Sequence, residues 1–339
     1  RRRIAGRFFA ASSRVLSAFE PDHTDSSFKA MRSRPKPPKT MAEWEEQAKA
    51  FQNPPNMYGF VARGLKNANA TPWAYVIFNF GGKYISPAND SLLNTPEWVK
   101  AMDWYAGMLK RFAPPGVVNF NWYECSSAFM QGQVATYYDG VNFANAFEDP
   151  AKSKIAGKVG YAVMPAGPSG PATPTFTNAM AVSAQSRNKE AAWRWAKFYC
   201  SPDGGMQTLS KLKNCVTAVK SQAYSPEYFL QPPPKNVMAM ITSLKDAYIV
   251  TPPIVGTSEW LTRIRTPMFD NMLRTPDANI PKMMKEFQTE TNKLLAEEPE
   301  RQDSGVRIQD GLQMTMWVRS WGWVARPAAA HRLAVQAMS

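Results

Sequence analysis

The stretch from Val134 to Ser201 constrains the fold most, because strand-like runs, tight turns and one amphipathic helix follow each other there. Val134 to Tyr138 is β-branched and aromatic and stops at Asp139-Gly140, which predicts a strand and then a turn. Val159 to Val163 repeats the pattern and closes on the Pro/Gly-rich segment Pro165 to Pro171. Ala179 to Ser183 reads as a third strand. Ser186 or Asn188 can then cap a helix carrying Ala191, Ala192, Trp195, Phe198 and Tyr199 on one face. Pro202-Asp203-Gly204-Gly205 ends it. The expected class is α/β.

The flanks extend this alternation. Thr40 and Glu43 form a capping box for a helix to Phe51, with Met41, Trp44, Ala48 and Phe51 on its inner face. Tyr58 to Arg63 reads as extended, while Asn67 to Gly82 mixes Asn with Trp73, Tyr75, Phe78 and Phe80, ends in Gly81-Gly82 and is read as a loop ahead of that pair. Thr95-Pro96 opens a helix with Trp98, Met102, Tyr105, Ala106 and Leu109 inward, and Pro114-Pro115-Gly116 closes it. A short helix is expected at Ser126 to Gln131, and others at Val237 to Tyr248, Met268 to Leu273 and Ile280 to Leu295. Thr217 to Pro234 and Thr251 to Gly256 read as connections.

Length and composition narrow the chemistry. A chain of 339 residues, 44% hydrophobic, can build two cores or one large one. The net charge of +13 is concentrated at the ends: residues 1–36 carry +6 and 299–339 carry +2, leaving +5 on the body. Residues 1–36 therefore read as an atypical, poorly ordered basic tail, with a short basic amphipathic helix around Ile4 to Phe19 as its structured alternative. Residues 299–339 read as a second atypical tail rich in Arg and Trp. Arg14 interrupts the apolar part of the N-terminus, so no secretory signal is recognised, and truncation or out-of-frame translation is expected ahead of about residue 34. No run of ~18 apolar residues could span a bilayer. Cys125, Cys200 and Cys215 lack metal spacing; Cys200 and Cys215 could pair, or all three could be buried thiols. His23 and His331 both lie in the tails, which leaves the body without the imidazole of a nucleophilic triad or most zinc sites. No GxxxxGK or GxGxxG phosphate cradle is present.

At this point the order of features carries a resemblance. A strand, an Asp-Gly turn, EDPAKSKIAGKVGYAVMPAGPSG, a further strand and SRNKEAAWRWAKFYCS resemble the family 1 extracellular solute-binding proteins, the sugar and polyol receptors of bacterial ABC importers. The likeness runs upstream to Pro37-Pro38-Lys39-Thr40 and downstream to about Leu295. It implies an α/β fold like the type II periplasmic-binding proteins, two lobes with the leading part of the first lobe missing. Residues 37–155 and 225–298 would form the second lobe, and 158–222 the returning part of the first. It further implies a periplasmic monomer that closes by a hinge on a sugar or polyol and docks on membrane permease subunits. No cofactor, metal, catalysis or nucleic acid is implied. A chain lacking part of a lobe is expected to bind weakly or not at all.

Such a ligand needs flat aromatic faces for its C–H faces and amides or carboxylates for its hydroxyls. The candidates are Asn69, Trp73, Tyr75, Trp122, Asp139, Asn142, Phe176, Asn178 and Trp260, with Tyr123 and Phe143 beside them. Each has a plain structural alternative: core packing for Trp73, Tyr75, Phe176 and Trp260, turn geometry for Asp139, loop capping for Asn142 and Asn178. The family places ligand contacts in the segments matching Asn69 to Tyr75 and Asp139 to Asn142, and a C-terminal Trp for which Trp260 is nearest. Two other classes compete. A glycoside-processing enzyme would use Asp139 or Glu148, and a basic interaction protein would work through the tails.

Overall fold

The structure, a computed structural model, describes residues 7–12, 15–20, 37–86, 88, 90–175, 180–201, 203–204, 226, 239, 242, 247–249 and 259–302. Strands β1 (Arg7–Ser12) and β2 (Val15–Glu20) pair with each other antiparallel through an irregular register. β3 (Thr136–Tyr138) runs parallel to β1, with Phe9 opposite Thr136 and Ala11 opposite Tyr138. β4 (Val159–Gly160) and β5 (Ala162–Val163) complete the order β4-β1-β3-β2-β5. The helix suggested around Ile4 to Phe19 is therefore corrected: the described backbone there is extended. Its 3.6-residue periodicity is weak, and pairing with β3 supplies a ladder that no isolated helix could match.

A second parallel partner of this strand comes from residues 58–61. Tyr58 N–H donates to Gln133 O at 2.8 Å, Ala135 N–H to Tyr58 O at 2.8 Å, and Val61 N–H to Thr136 O at 2.9 Å. Chain segments 58–61, 7–12 and 136–138 thus point the same way.

Helices cover this frame. In α1 (Met41–Phe51), Thr40 Oγ1 accepts from Glu43 N at 3.1 Å, and Met41, Trp44, Ala48 and Phe51 are buried as the period predicts. The Trp44 indole N–H reaches Thr136 Oγ1 at 3.2 Å, so α1 is fastened to β3 by a polar contact inside an apolar interface. α2 (Ala70–Asn79) was not legible as a helix: Trp73, Ala74, Tyr75, Val76 and Ile77 are all buried, and a helix enclosed on all sides has no polar face to reveal its period. α3 (Pro96–Phe112) carries the expected inner face. α4 (Trp122–Met130) begins four residues before the predicted start because Asn121 and Glu124 form a capping box. A short α5 (Ala144–Phe147) follows β3.

The third strand is displaced from its predicted place. Residues 180–183 are not extended in a sheet; instead β6 (Thr173–Thr175) pairs parallel with β7 (Ala247–Ile249), which also replaces the end of the helix expected to Tyr248. α6 (Lys189–Tyr199) forms where predicted, yet Trp195, Phe198 and Tyr199 remain largely exposed. At the far end, a π-helical stretch Trp260–Arg265 leads into α7 (Thr266–Arg274), then α8 (Ile280–Gln302). Pro267 has no N–H to give the preceding turn, a local reason for its wide winding. α8 is tied to the 91–94 loop: Ser91 N donates to Asn292 Oδ1 at 3.0 Å and Asn94 N to Gln288 Oε1 at 2.7 Å. Its residues Met284 and Phe287 join the cluster of Trp73, Trp98, Phe269 and Trp260, so the C-terminal helices share one core with α2 and α3.

Candidate functional site

Ligands of open α/β sheets bind beyond the carboxyl ends of the strands, where loops diverge. Here the chain leaves 58–61 at Arg63 and leaves β3 at Asp139, so two adjacent parallel segments deliver opposite charges to one edge. Arg63 Nε donates to Asp139 Oδ2 at 2.6 Å, and its Nη2 to Asp139 Oδ1. Gly140 N–H adds a bond to Oδ1 at 2.7 Å, and Tyr105 Oη holds the Arg63 carbonyl at 2.9 Å. Burial alone would lower the Arg63 pKa; the charge and hydrogen bonds of Asp139, with smaller help from Tyr137 and Cys125, together more than offset this and leave it above its ordinary value. Burial also pushes up the Tyr105 phenol and the Cys125 thiol nearby, so neither is a nucleophile at neutral pH.

The turn 64–69 completes this edge. Gly64 lets it pass close to the chain at Val117, since a Cβ there would lie 2.3 Å from the Val117 carbonyl oxygen. Arg63 Nη1 reaches Ala68 O at 3.4 Å, and the next residue, Asn69, stands at the N-terminal boundary of α2 without a side-chain capping bond. Asn69 is fully buried, and its Oδ1 accepts from Arg265 Nη1 at 3.2 Å. The Arg265 guanidinium lies 5.3 Å over the Trp73 ring and reaches Thr266 Oγ1 at 3.5 Å. Burial pulls its pKa down to about 10, so it stays charged at neutral pH. Among the described residues no carboxylate pairs with it, and Arg265 Nε and Asn69 Nδ2 have no hydrogen-bond acceptor. A buried donor left unpaired costs ~1–3 kcal/mol, more when charged.

On the outer side, the turn after Asp139 brings Asn142 to the surface and stacks Phe143 on Trp122, with ring centroids 5.5 Å apart. Trp122 is 43% exposed and Tyr123 63%, an accessible aromatic pair held by the capped start of α4.

The predicted residues therefore divide. Asn69, Asp139, Asn142 and Trp122 gather at this edge. Trp73, Tyr75 and Trp260 are corrected to core residues, because their ring faces are taken by protein. Trp73 meets Trp98, Phe269 and Phe287; Tyr75 packs on Tyr138 and donates its hydroxyl to Pro165 O; Trp260 stacks on Phe287 and donates to Thr291 Oγ1 at 2.9 Å. Asp139 is itself buried and bound to Arg63, so it orients that side chain more than it faces solvent. Phe176 and Asn178 lie outside the described residues. Arg63 and Arg265 were missed by sequence reasoning. A charge directly after an extended run marks Arg63, whereas Arg265 looks like any arginine on a helical surface.

The two carboxylates named for the enzyme alternative both have protein partners. Glu148 accepts from Tyr161 Oη at 3.0 Å and from Gly157 N at 2.8 Å, closing a turn, and Asp139 is an ion-pair partner. Cys200 is a free thiol, as is Cys125; Cys215 lies outside the described residues, as do the tails needed by the basic-interaction alternative beyond residue 302.

Comparison with known proteins adds a separate line of evidence. The sequence profile described as "Bacterial extracellular solute-binding protein" matches residues 15–232. A mannitol-binding protein of Pseudomonas aeruginosa is 27% identical over 157 residues, 45% of this chain and 36% of that protein. A probable ABC transporter-binding protein of Deinococcus radiodurans is 32% identical over 168 residues, 46% of this chain and 39% of its own length. The matches thus span well under half of these curated relatives. Among solved structures, an ABC transporter solute-binding protein of Agrobacterium radiobacter in complex with ribitol superposes with a TM-score of 0.71 at 26% identity. That match covers 83% of this chain and 69% of the other.

Proposed function

The chain belongs to the bacterial extracellular solute-binding proteins, and we propose that it captures a sugar or polyol for an ABC importer without altering it chemically. Its fold is the mixed α/β arrangement of the type II periplasmic-binding proteins. The observation that carries the reading is the strand edge itself, where the turns that follow the strands carry a fixed guanidinium, a surface amide and an exposed indole. Arg63 has five N–H donors, and three are taken by Asp139 and Ala68. The remaining donors, the Asn142 amide and the Trp122 face suit hydroxyls and the C–H faces between them.

In this reading residues 37–155 and 225–298 make one lobe and 158–222 part of the other, and the permease is met from the periplasm. Among the described residues no helix is long and apolar enough to cross a membrane. Closure on the ligand would be a population shift drawn by contacts present only when both lobes engage.

The test is titration with ribitol, D-mannitol and maltose, read by intrinsic tryptophan fluorescence. A weak but saturable change that Trp122→Ala reduces, with the ligand recovered intact, is expected. No response to any of the three up to ~10 mM, well beyond a millimolar dissociation constant, would overturn the proposal.

A further inference from the structure

Two of the buried polar atoms without a partner belong to one contacting pair, Asn69 and Arg265. Asn69 offers its amide oxygen to the guanidinium and keeps its Nδ2 hydrogens unused; Arg265 keeps its Nε hydrogen unused. Both atoms are donors. The pair is 0% and 2% exposed, and no acidic side chain among the described residues neutralises it. The Arg63–Asp139 pair is different, because a carboxylate neutralises its guanidinium. The two pairs are joined through the 66–69 turn, since Arg63 reaches Ala68 O and Asn69 is the next residue. Arg265 arrives at the end of the π-helical stretch, from an element remote in sequence from everything else at the edge. Its Cζ lies 5.3 Å from the Trp73 ring centroid, a cation–π contact that helps hold the guanidinium in place.

We propose that Arg265 and Asn69 are the specificity-determining inner end of the site, donating together to an acceptor oxygen on the terminal carbon of an open-chain polyhydroxylated ligand. This rests on the sugar or polyol reading above and adds to it a residue, a chemical group and an orientation. Donors alone select for an oxygen. A ligand with hydrogen or methyl at that end leaves the guanidinium as unpaired as it is without ligand, so discrimination is strong. Both a terminal hydroxymethyl group and a terminal carboxylate present such an oxygen.

The informative substitution is Asn69→Asp. It places a carboxylate against Arg265 Nη1, neutralising the buried charge while removing the Nδ2 donor. The full chain and its variant are compared by thermal melting and by titration with D-mannitol and D-mannonate. The expected result is a variant at least as heat-stable as the parent, binding its preferred ligand more weakly by about tenfold or more, the cost of leaving a buried ligand oxygen without its donor. Preference of the parent for mannonate or for mannitol tells which terminal group is taken. If the variant does not melt cooperatively, Arg265→Lys, which keeps the charge but lacks Nε–H, is read in the same way. A folded variant that binds as tightly as the parent overturns the inference and leaves the functional reading standing. Failure of the parent itself to bind either ligand, ribitol or maltose overturns both.

Discussion

Asp139 and Arg265 show how differently two charged groups can be held within one site. The Asp139 carboxylate accepts two N–H groups of Arg63 and one from Gly140, so its neighbours are matched to its charge. Asp139→Ala removes that partner and strands a guanidinium whose side chain is only 20% exposed. A stability loss of about 3 kcal/mol is expected, at the low end for a broken buried pair because Arg63 retains some solvent, measured by urea denaturation. Asp139→Asn should lose less, since an amide oxygen still accepts. Asp139 was recognisable in the sequence as the polar stop of a strand, and Asn69 and Asn142 as amides in loops. Arg265 was not, because its meaning comes from Trp73 and Asn69, residues almost two hundred positions away. Trp73, Tyr75 and Trp260 misled for the opposite reason: an aromatic that stacks on a sugar and one that stacks on Phe287 are identical in sequence.

At the scale of elements, pairing surfaces decided what local pattern left open. α1 was legible residue by residue, and Trp44 joins its face to β3; Trp44→Ala should cost ~3–5 kcal/mol in the same denaturation experiment. α2 was not legible, since burial on every side erases the amphipathic signal. The extended backbone at 7–12 and 15–20 was hidden too, because its partner β3 lies more than a hundred residues downstream. α4 tests whether an N-cap positions the site. Its start depends on Asn121, which accepts from Trp122 N at 2.8 Å, and on Glu124, which accepts from Asn121 N at 2.9 Å. Asn121→Ala is expected to cost ~0.5–2 kcal/mol and to weaken polyol binding by loosening Trp122, whereas a cap with only a structural role would lower stability and leave the titration unchanged.

Over the whole molecule, the core that supports the edge is unusually rich in enclosed hydroxyaryl groups. Burial raises the Tyr75, Tyr105 and Tyr137 phenols well above their ordinary value of 10.0. A raised folded-state pKa means that the unfolded chain releases those protons first, so stability is full below pH 10.0 and falls as pH rises beyond it. A distinct phase of phenolate absorbance, beyond that of the exposed phenols, should grow only together with alkaline unfolding followed by circular dichroism; ionisation of every phenol before unfolding would mean these rings are not enclosed. The same core carries the site, because α2, α3, α7 and α8 pack together around Trp73, which holds Arg265 against Asn69 at the end of the 63–69 turn. Amide hydrogen exchange of the full chain, with and without saturating ribitol or D-mannitol, reads that arrangement most directly. Protection should rise together at 63–69, 139–143 and 259–265, three segments brought to one edge by the fold. Protection confined to another surface, with these segments exchanging as fast with ligand as without, would contradict the account.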